Sequence, residues 1–426
     1  MFSLHETTRR HLCRWGFVAL CLLPTCAVLG GAYWLHSDDY RRRHEAALAE
    51  RFGLPVTLAR VTHPTPTTTR YERVELLDPE TRGLLARAEV ALAEERGQLL
   101  TLQLTQAEIS SVFVERLRQW TDDRLRGGAP GATRTVRIEP CDLLMHYPDK
   151  SQLRLVELAG QIDLAAAQSV AKLTCRLERS EAAEPLTMRM WRDRSVKPAR
   201  SGFELATGGA VPCSMFAPLL PAIPRLGKHA QIDGSLWAVA APGGWEGALE
   251  GPATITQVDL DALVTDQFPH KLSGTAQVVL QAARFSRDRL QQATGSLSAG
   301  PGFISYTLLD AAAAEGLALG VAKAKKPGHS LSFEELAIDF SIDSRGLSLE
   351  GQCHGVPAGT LLSMRYPDRE QPVQVAASPA ERQSVAALVR ALSTRSDALL
   401  PASAEAQSLA RLLPLEPAGD RTASKK

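Results

Sequence analysis

The stretch Trp15–Leu35, WGFVALCLLPTCAVLGGAYWL, holds 21 residues and no charged side chain. As a helix it would be about 31 Å long, at about 1.5 Å per residue, which is enough to cross one bilayer core. Its ends carry aromatic residues, which favour the membrane interface, and its middle is apolar. The anchor residues that we single out are Trp15, Leu20, Leu22, Leu23, Val28, Tyr33 and Trp34. This stretch predicts an uncleaved signal anchor.

The charges around this stretch indicate its orientation. Three arginines precede it, Arg9, Arg10 and Arg14, which favours a cytoplasmic N-terminus. The run Arg41–Arg43 on the other side opposes this, but Asp38 and Asp39 accompany it, and a long exported domain translocates largely regardless of charge. We therefore expect the rest of the chain to be exported.

A cleavable signal peptide is the alternative for the same stretch. Gly30, Gly31 and Ala32 are small residues near the end of the apolar run. A cleavable signal usually has an apolar core of about 7–15 residues, and this one is longer. We prefer the anchor for that reason.

Composition limits the function classes. The chain has 48 basic and 47 acidic residues, and its net charge is +1. No basic stripe is visible, which excludes a typical nucleic-acid reader. Residues 36–426 are enough for one large or two ordinary domains.

Alternating apolar and polar residues predict an antiparallel sheet with one solvated face. Before the strands, Ser37–Arg51 reads as a charged helix that ends at Gly53. The clearest predicted strands are Val56–Leu58, Val74–Leu76, Ala86–Leu92, Leu100–Leu104, Ala171–Leu177, Leu186–Met190, Leu249–Val258, Thr275–Ala283, Gln291–Ser298, Ala337–Asp343 and Gly346–Gln352.

Two capping boxes predict longer helices between and after these strands. Thr105–Glu108 predicts an amphipathic helix over 106–125, and Ser378–Glu381 predicts a helix over 379–392. Short helical inserts are expected at 260–267 and 304–315. The proline-rich stretch Val211–Gly227 predicts a packed crossover, and we expect it not to be helical.

The end of the chain has its own pattern. The strand signal stops after Tyr366 and Pro367, and the tail from Pro414 has a disordered composition.

Four cysteines lie beyond the anchor, Cys141, Cys175, Cys213 and Cys353. In an oxidising compartment they allow three pairings. Cys175 is in phase with Ala171 and Leu173, so we prefer a buried thiol there. No C-x-x-C and no suitably spaced histidine suggests a metal, and we assign neither a metal nor a cofactor.

Catalytic candidates are weak. Gly351–Gly355 (GQCHG) matches a cysteine version of the nucleophile elbow, but that elbow needs a following helix, and Val356–Gly359 cannot open one directly. We expect a strand that ends in a glycine-rich turn, and we expect no enzyme.

Other polar and aromatic candidates have structural explanations. Asp339, Asp343 and Glu350 fall on the polar phase of strands and are expected on the solvated face. Asp259 and Asp261 flank a helix start, where carboxylates accept N–H groups. We expect packing roles for the remaining candidates, which are Trp237, Trp245, Met188 and Met190.

The order of several stretches along the chain carries a resemblance to a known family. The first half carries FGLPVTLARV (Phe52–Val61), YERVELLDP (Tyr71–Pro79), LARAEVAL (Leu85–Leu92) and LLTLQLTQAEI (Leu99–Ile109). The second half carries GGWEGALEG (Gly243–Gly251), VDLDAL (Val258–Leu263), LSGTAQVVL (Leu272–Leu280), GSLSAGPGFIS (Gly295–Ser305) and FEELAIDFSID (Phe333–Asp343). Over most of residues 15–366 the chain resembles AsmA-like envelope proteins.

The resemblance implies a single-pass inner-membrane protein with a cytoplasmic N-terminus and most of its chain in the periplasm. It implies an elongated, twisted antiparallel sheet curled into a groove that shields phospholipid acyl chains. Groove residues on the apolar phase would be Val278, Leu280, Ile338, Phe340 and Ile342. The implied partners are membrane phospholipid, the inner membrane and other envelope proteins. The family offers no catalytic residue to carry over.

Together these observations predict a mainly β protein with flanking α-helices behind an N-terminal transmembrane helix. We divide it into an anchor (1–36), an N-terminal module (37–126), a middle β region with its crossover (127–227), a C-terminal β region (228–366) and a terminal helix with a tail (367–426). About a dozen strands at about 4.8 Å would span only about 60–70 Å. That length fits a shuttle, an adaptor, one segment of a larger assembly, or a protein that lost transport and kept the fold. The alternative function is a non-catalytic structural or assembly factor, whose apolar face is a core covered by the two longer helices.

Overall fold

The computed structural model describes residues 6–127, 135–165, 167–179, 182–218, 223–241, 244–287, 289–320, 330–365, 371–393 and 404–414. The fold is mainly β, as predicted, with a large, twisted, mostly antiparallel sheet and flanking helices. The chain divides into two compact units, Met1–Asp163 and Leu164–Lys426. The finer division predicted from the sequence stays a prediction.

The N-terminal helix is built as two α-helices joined by a π turn. α1 (Glu6–Phe17) runs into the π turn Val18–Leu22, and α2 (Leu23–Leu35) follows directly. Leu23, the residue before Pro24, donates its N–H to the Val18 carbonyl oxygen five residues back, which is the hydrogen bond of a π turn. The segment Arg14–Leu35 is long and apolar enough to cross a membrane.

The side chains of this segment are turned outward. The seven predicted anchor residues are all exposed, from 43% for Trp34 to 82% for Tyr33. An apolar surface of this kind needs a cover of lipid or protein, which is consistent with an anchor.

The charged helix is confirmed. α3 (Asp38–Phe52) begins at Ser37, whose hydroxyl accepts the Tyr40 N–H, and ends at Gly53 with a left-handed φ of 67°. α3 packs on the first strands through Tyr40, Leu48, Ala49 and Phe52, against Val56, Leu58 and Val61.

In the part of the first unit that the structure describes, seven strands and one helix follow α3. The strands are β1 (Val56–Thr57), β2 (Arg60–Thr65), β3 (Thr68–Leu77), β4 (Leu84–Arg96), β5 (Leu99–Ser110), β6 (Thr135–His146) and β7 (Gln152–Leu164). Their described pairings are antiparallel except that of β5 with β6, which is parallel. The helix α4 (Phe113–Arg126) fills the connection between β5 and β6.

The first capping box is a wrong prediction. Thr105–Glu108 lies inside β5, where Glu108 is paired with Arg87 on β4 and with Leu144 on β6. Pairing on both sides uses the backbone groups that a helix would need. α4 therefore begins later, at Phe113, without a side-chain cap, and ends at Gly127 as predicted.

The described residues of the second unit form seventeen further strands. They are β8 (Gln168–Leu177), β9 (Leu186–Asp193), β10 (Arg200–Ala206), β11 (Val211–Pro212), β12 (Gln231–Asp233), β13 (Ser235–Ala241), β14 (Gly244–Leu249), β15 (Ala253–Asp259), β16 (Leu272–Ser273), β17 (Thr275–Ser286), β18 (Arg289–Ala299), β19 (Gly302–Ser305), β20 (Ser330–Phe333), β21 (Glu335–Asp343), β22 (Gly346–Gly351), β23 (Thr360–Met364) and β24 (Val373–Ala377). β16, β19 and β20 form a small separate sheet.

The helices of this unit are short. α5 (Tyr306–Ala314) and the π turn Asp261–Thr265 stand where helical inserts were predicted. In the proline-rich crossover the described residues form two 3-10 turns, Cys213–Phe216 and Ile223–Leu226, and residues 219–222 lie outside the described chain. The C-terminal helices are α6 (Val385–Leu392) and α7 (Ala404–Leu412).

Three predictions for the C-terminal part need correction or stay open. The strand signal does not stop at 366, since β24 follows. The helix predicted from Pro379 begins at Val385 and is capped by Ser384, because Gln383 exchanges backbone hydrogen bonds with Leu347. α7 was not predicted at all. The predicted disordered tail falls on residues 415–426, which lie outside the described part.

Candidate functional site

The five predicted groove residues lie on one face of the sheet. Val278 and Leu280 are on β17, and Ile338, Phe340 and Ile342 are on β21, with β18 between the two strands. Directly opposed residues on neighbouring strands share a face, as do residues two apart on one strand. All five side chains are half-buried.

The register extends this face into a row across five adjacent strands. Val278 is opposite Leu297 on one side and Ile255 on the other; Leu297 is opposite Ile338, and Ile255 is opposite Ile232. We call these five residues the apolar row. Each is half-buried. At about 4.8 Å per strand the row is about 19 Å long.

A second row lies beside the first one and is fully buried. It consists of Val258, Ala276, Ala299 and Leu336, opposed in that order across β15, β17, β18 and β21. Their exposed fractions lie between 0% and 9%. We call them the covered row. On β15 a bulge at Gln257, with φ 56°, lets Ile255 and Val258 face the same side.

The small sheet and α5 supply the cover. Phe333, Leu272 and Ile304 from the small sheet join one buried cluster with the covered row, and Leu309 of α5 belongs to the same cluster. The apolar row borders this cluster through Ile255, Val278, Leu297 and Ile338, which pack against it while staying half-exposed.

On the other side of the apolar row, an aromatic ring and the C-terminal helices contact the sheet. Phe340 lies over Gly295, where an added Cβ would be 3.1 Å from the ring and 2.2 Å from the Val279 carbonyl oxygen. Ile342 and Leu349 pack on a cluster that includes Val385 and Val389 of α6. Along β21, the apolar row therefore lies between two covered zones.

The opposite face of these strands is polar. Gln277, Ser298 and Asp339 are exposed, as expected for the solvated phase. Asp343 receives two hydrogen bonds of 2.9 Å from Arg382, and this guanidinium lowers the pKa of the carboxyl. Glu350 is exposed. The carboxylates of this face do not form a buried pair.

The cysteine elbow lacks its helix. β22 precedes Cys353, but the turn after it leads to β23, an antiparallel strand. The thiol is buried and donates to the Glu335 carbonyl oxygen at 3.4 Å, and burial raises its pKa. His354 contacts the Glu335 carboxylate at 2.7 Å with an exposed ring. This geometry favours the protonated thiol over a nucleophilic thiolate.

The cysteines beyond the anchor are all buried free thiols, including Cys175 as predicted. Burial raises the pKa of Cys175 and Cys213 to about 11. None of the three pairings is formed by these four residues. Among the described residues, no three His, Cys, Asp or Glu side chains are placed to hold a metal ion.

The remaining candidates take structural positions. The Asp259 carboxylate accepts the Asp261 N–H at 2.9 Å, which opens the π turn. Trp237 lines a cleft of about 210 Å³ together with Trp191, Glu204 and Glu250. Arg189 neutralises Glu204 at 3.0 Å, and the ring of Trp191 lies against Gly202. Trp245 is 39% exposed, and the two methionines on β9 are half-buried.

Sequence reasoning missed Ile232, Ile255 and Leu297 of the apolar row. Each is an apolar residue between polar neighbours in a predicted or short strand, so the signal for an inward side chain was present. No local signal predicts which strands pair, because β12 pairs with β15 across the intervening hairpin of β13 and β14.

Comparison of the chain with protein-family models, with curated proteins and with solved structures finds no match. The resemblance to AsmA-like proteins therefore stays a prediction.

Proposed function

We propose that this chain is an AsmA-like, membrane-anchored envelope protein that shields a phospholipid acyl chain along the apolar row. Its anchor would be the segment Arg14–Leu35, placed in the inner membrane with a cytoplasmic N-terminus. The bulk of the chain would be periplasmic and would hand phospholipid between envelope membranes. The proposed role is binding and transfer, with no catalysis.

One observation carries the proposal. The apolar row is a line of five large aliphatic side chains that are only half-buried, and on four of its five strands it lies beside a fully buried row. Leaving such side chains partly in water forfeits hydrophobic free energy, at about 25 cal/mol for each Å² of apolar surface left exposed. An acyl chain laid along the row would recover it without any polar partner.

The contact with α6 favours the second candidate, a structural or assembly factor. Ile342 and Leu349 already have a protein cover in the cluster of the C-terminal helices. If that cover extended over the apolar row in the working protein, the face would be an ordinary core.

The test is native mass spectrometry of the full chain in detergent, with two variants on one strand. Leu297→Asp places a charge in the apolar row, whereas Ser298→Asp places it at the adjacent exposed position on the opposite face. We expect co-purifying phospholipid with the unchanged chain and with Ser298→Asp, and its loss with Leu297→Asp. A milder change, Val278→Thr, and thermal unfolding separate lost binding from lost folding. A folded, lipid-free protein would contradict the transfer role and favour the structural factor.

A further inference from the structure

A cleft of about 290 Å³ opens within the first unit, where the end of α2 meets α3 and β2. It is lined by Leu35, the last residue of α2, by Tyr40 and Arg41 of α3, and by Arg60 at the start of β2. Trp34 and Tyr33, exposed beside it, are residues that favour the level of the lipid headgroups. The cleft therefore lies at the headgroup level of a membrane crossed by this segment.

The Arg41 guanidinium in this cleft is incompletely satisfied. One terminal nitrogen donates to the Leu58 carbonyl oxygen at 3.2 Å, and the other lies 3.1 Å from the Asp38 carboxylate. Its Nε is buried and has no hydrogen-bond partner within the described chain. An unpaired N–H of a charged group is costly, so a further negative charge near this guanidinium would stabilise it.

The charges of the cleft favour a monoanion. Two arginines, Arg41 and Arg60, and one aspartate, Asp38, line the cleft, and the Asp38 carboxylate is 77% exposed and contacts only one of the Arg41 nitrogens. The Tyr40 hydroxyl is already engaged by His63 at 2.5 Å. A phosphate oxygen between the two arginines would meet the forked donors that suit it best.

We propose that this cleft binds the phosphate group of a phospholipid, with Arg41 and Arg60 as its ligands and Leu35 beside the acyl end. The inference rests on the proposed function for its membrane location, and it names the chemical group that the anchor end of the protein holds. It does not need the apolar row.

The experiment uses the full chain in dodecyl maltoside, which carries no phosphate. Native mass spectrometry follows the binding of added phosphatidylglycerol, of diacylglycerol with the same chains, and of inorganic phosphate. Arg60→Gln changes an exposed side chain of the cleft, and Arg41→Gln/Arg60→Gln removes both charges. Arg42→Gln is the matched control, because Arg42 follows Arg41 on α3 and does not line the cleft.

We expect phosphatidylglycerol to bind more tightly than diacylglycerol, and the double variant to lose about tenfold or more in affinity. Arg60→Gln should lose part of this affinity, and Arg42→Gln should bind like the unchanged chain. Binding that is equal in the double variant and the control overturns the proposal. Inorganic phosphate that binds alone, with the same dependence on both arginines, overturns the lipid source.

The two variants distinguish a failure of the cleft proposal from a failure of the apolar-row proposal. If Leu297→Asp loses bound lipid while the double variant keeps it, the row holds lipid and the cleft does not, which contradicts this inference alone. If the double variant loses phosphatidylglycerol while Leu297→Asp keeps it, the cleft is supported and the proposed acyl site is contradicted.

Discussion

The covered row and the apolar row cross the same four strands only a few residues apart, yet one is buried and the other is half-exposed. Their side chains differ in size. On β17 and β18 the covered row has Ala276 and Ala299, whereas the apolar row has Val278 and Leu297. Small side chains let a second layer approach the sheet closely, and larger ones stand where that layer ends.

The difference teaches that alternation alone does not define a core. On β17, β18 and β21 both rows satisfy the same period of two, and both would be predicted to face inward. Burial is decided by what packs on top, and that cover is the small sheet and α5, whose strands directly precede or follow β17, β18 and β21 in the chain. It is on such a half-buried strip that we propose a ligand to pack.

The largest expected effect compares equivalent positions on β21. Leu336→Ala in the covered row should lower the free energy of unfolding by about 2–5 kcal/mol, because it leaves a cavity in a closed core. Ile338→Ala in the apolar row should cost clearly less, since solvent or detergent already reaches its side chain. Chemical unfolding followed by circular dichroism checks this. Equal losses would mean that the two rows are buried alike.

Substitutions that enlarge a side chain test the same comparison of the two rows. Ala276→Leu should cost about 1–3 kcal/mol, because a layer 2% exposed has no room for three more carbon atoms. Val278→Leu, two residues along the same strand, should be nearly neutral. Thermal unfolding of the two variants gives the answer, and a tolerated Ala276→Leu would show that the cover over β17 is loose.

The cap of α6 tests the other border of the apolar row. The Ser384 hydroxyl accepts the Ala386 N–H at 3.1 Å, so Ser384→Ala should cost about 1 kcal/mol. Glu381→Ala is the control, since Glu381 belongs to the capping box that the structure does not use as one. If Glu381→Ala costs as much as Ser384→Ala, the helix begins before Val385, which would contradict the pairing of Gln383 with Leu347 on β22.

The smallest expected effect is a pH dependence of the folding stability, and it comes from His270. His270 is 6% exposed beside the covered core, and its Nδ1 is 3.1 Å from the Thr307 hydroxyl. Burial lowers its pKa from the ordinary 6.5, so the folded protein holds it neutral while the unfolded chain protonates. Its contribution to stability is present above about pH 6.5 and is lost as the pH falls below that value.

The measurement is chemical unfolding between pH 5 and 8, which should show a weaker pH dependence for His270→Asn than for the unchanged chain. A pH dependence identical in the two proteins would argue that His270 is not desolvated.

Local signals predicted much of the fold. The apolar segment, the charged helix with Ser37 and Gly53 at its ends, and most strands of the second unit follow from composition and period. The two capping boxes failed for one physical reason. A serine or threonine followed by a glutamate favours a helix start only if the backbone there is not already paired, and a sheet partner decides that.

By itself, the sequence determined that this protein carries a membrane-length apolar helix, that its body is mainly β, and that Val278, Leu280, Ile338, Phe340 and Ile342 share an apolar phase. Only the tertiary structure decided that Ile232, Ile255 and Leu297 join them, that Ala276 and Leu336 are covered, and that Arg41 and Arg60 meet at one cleft. Period and charge are local properties of the chain. Register and cover depend on which strands pair and on what packs over them, which no local pattern encodes.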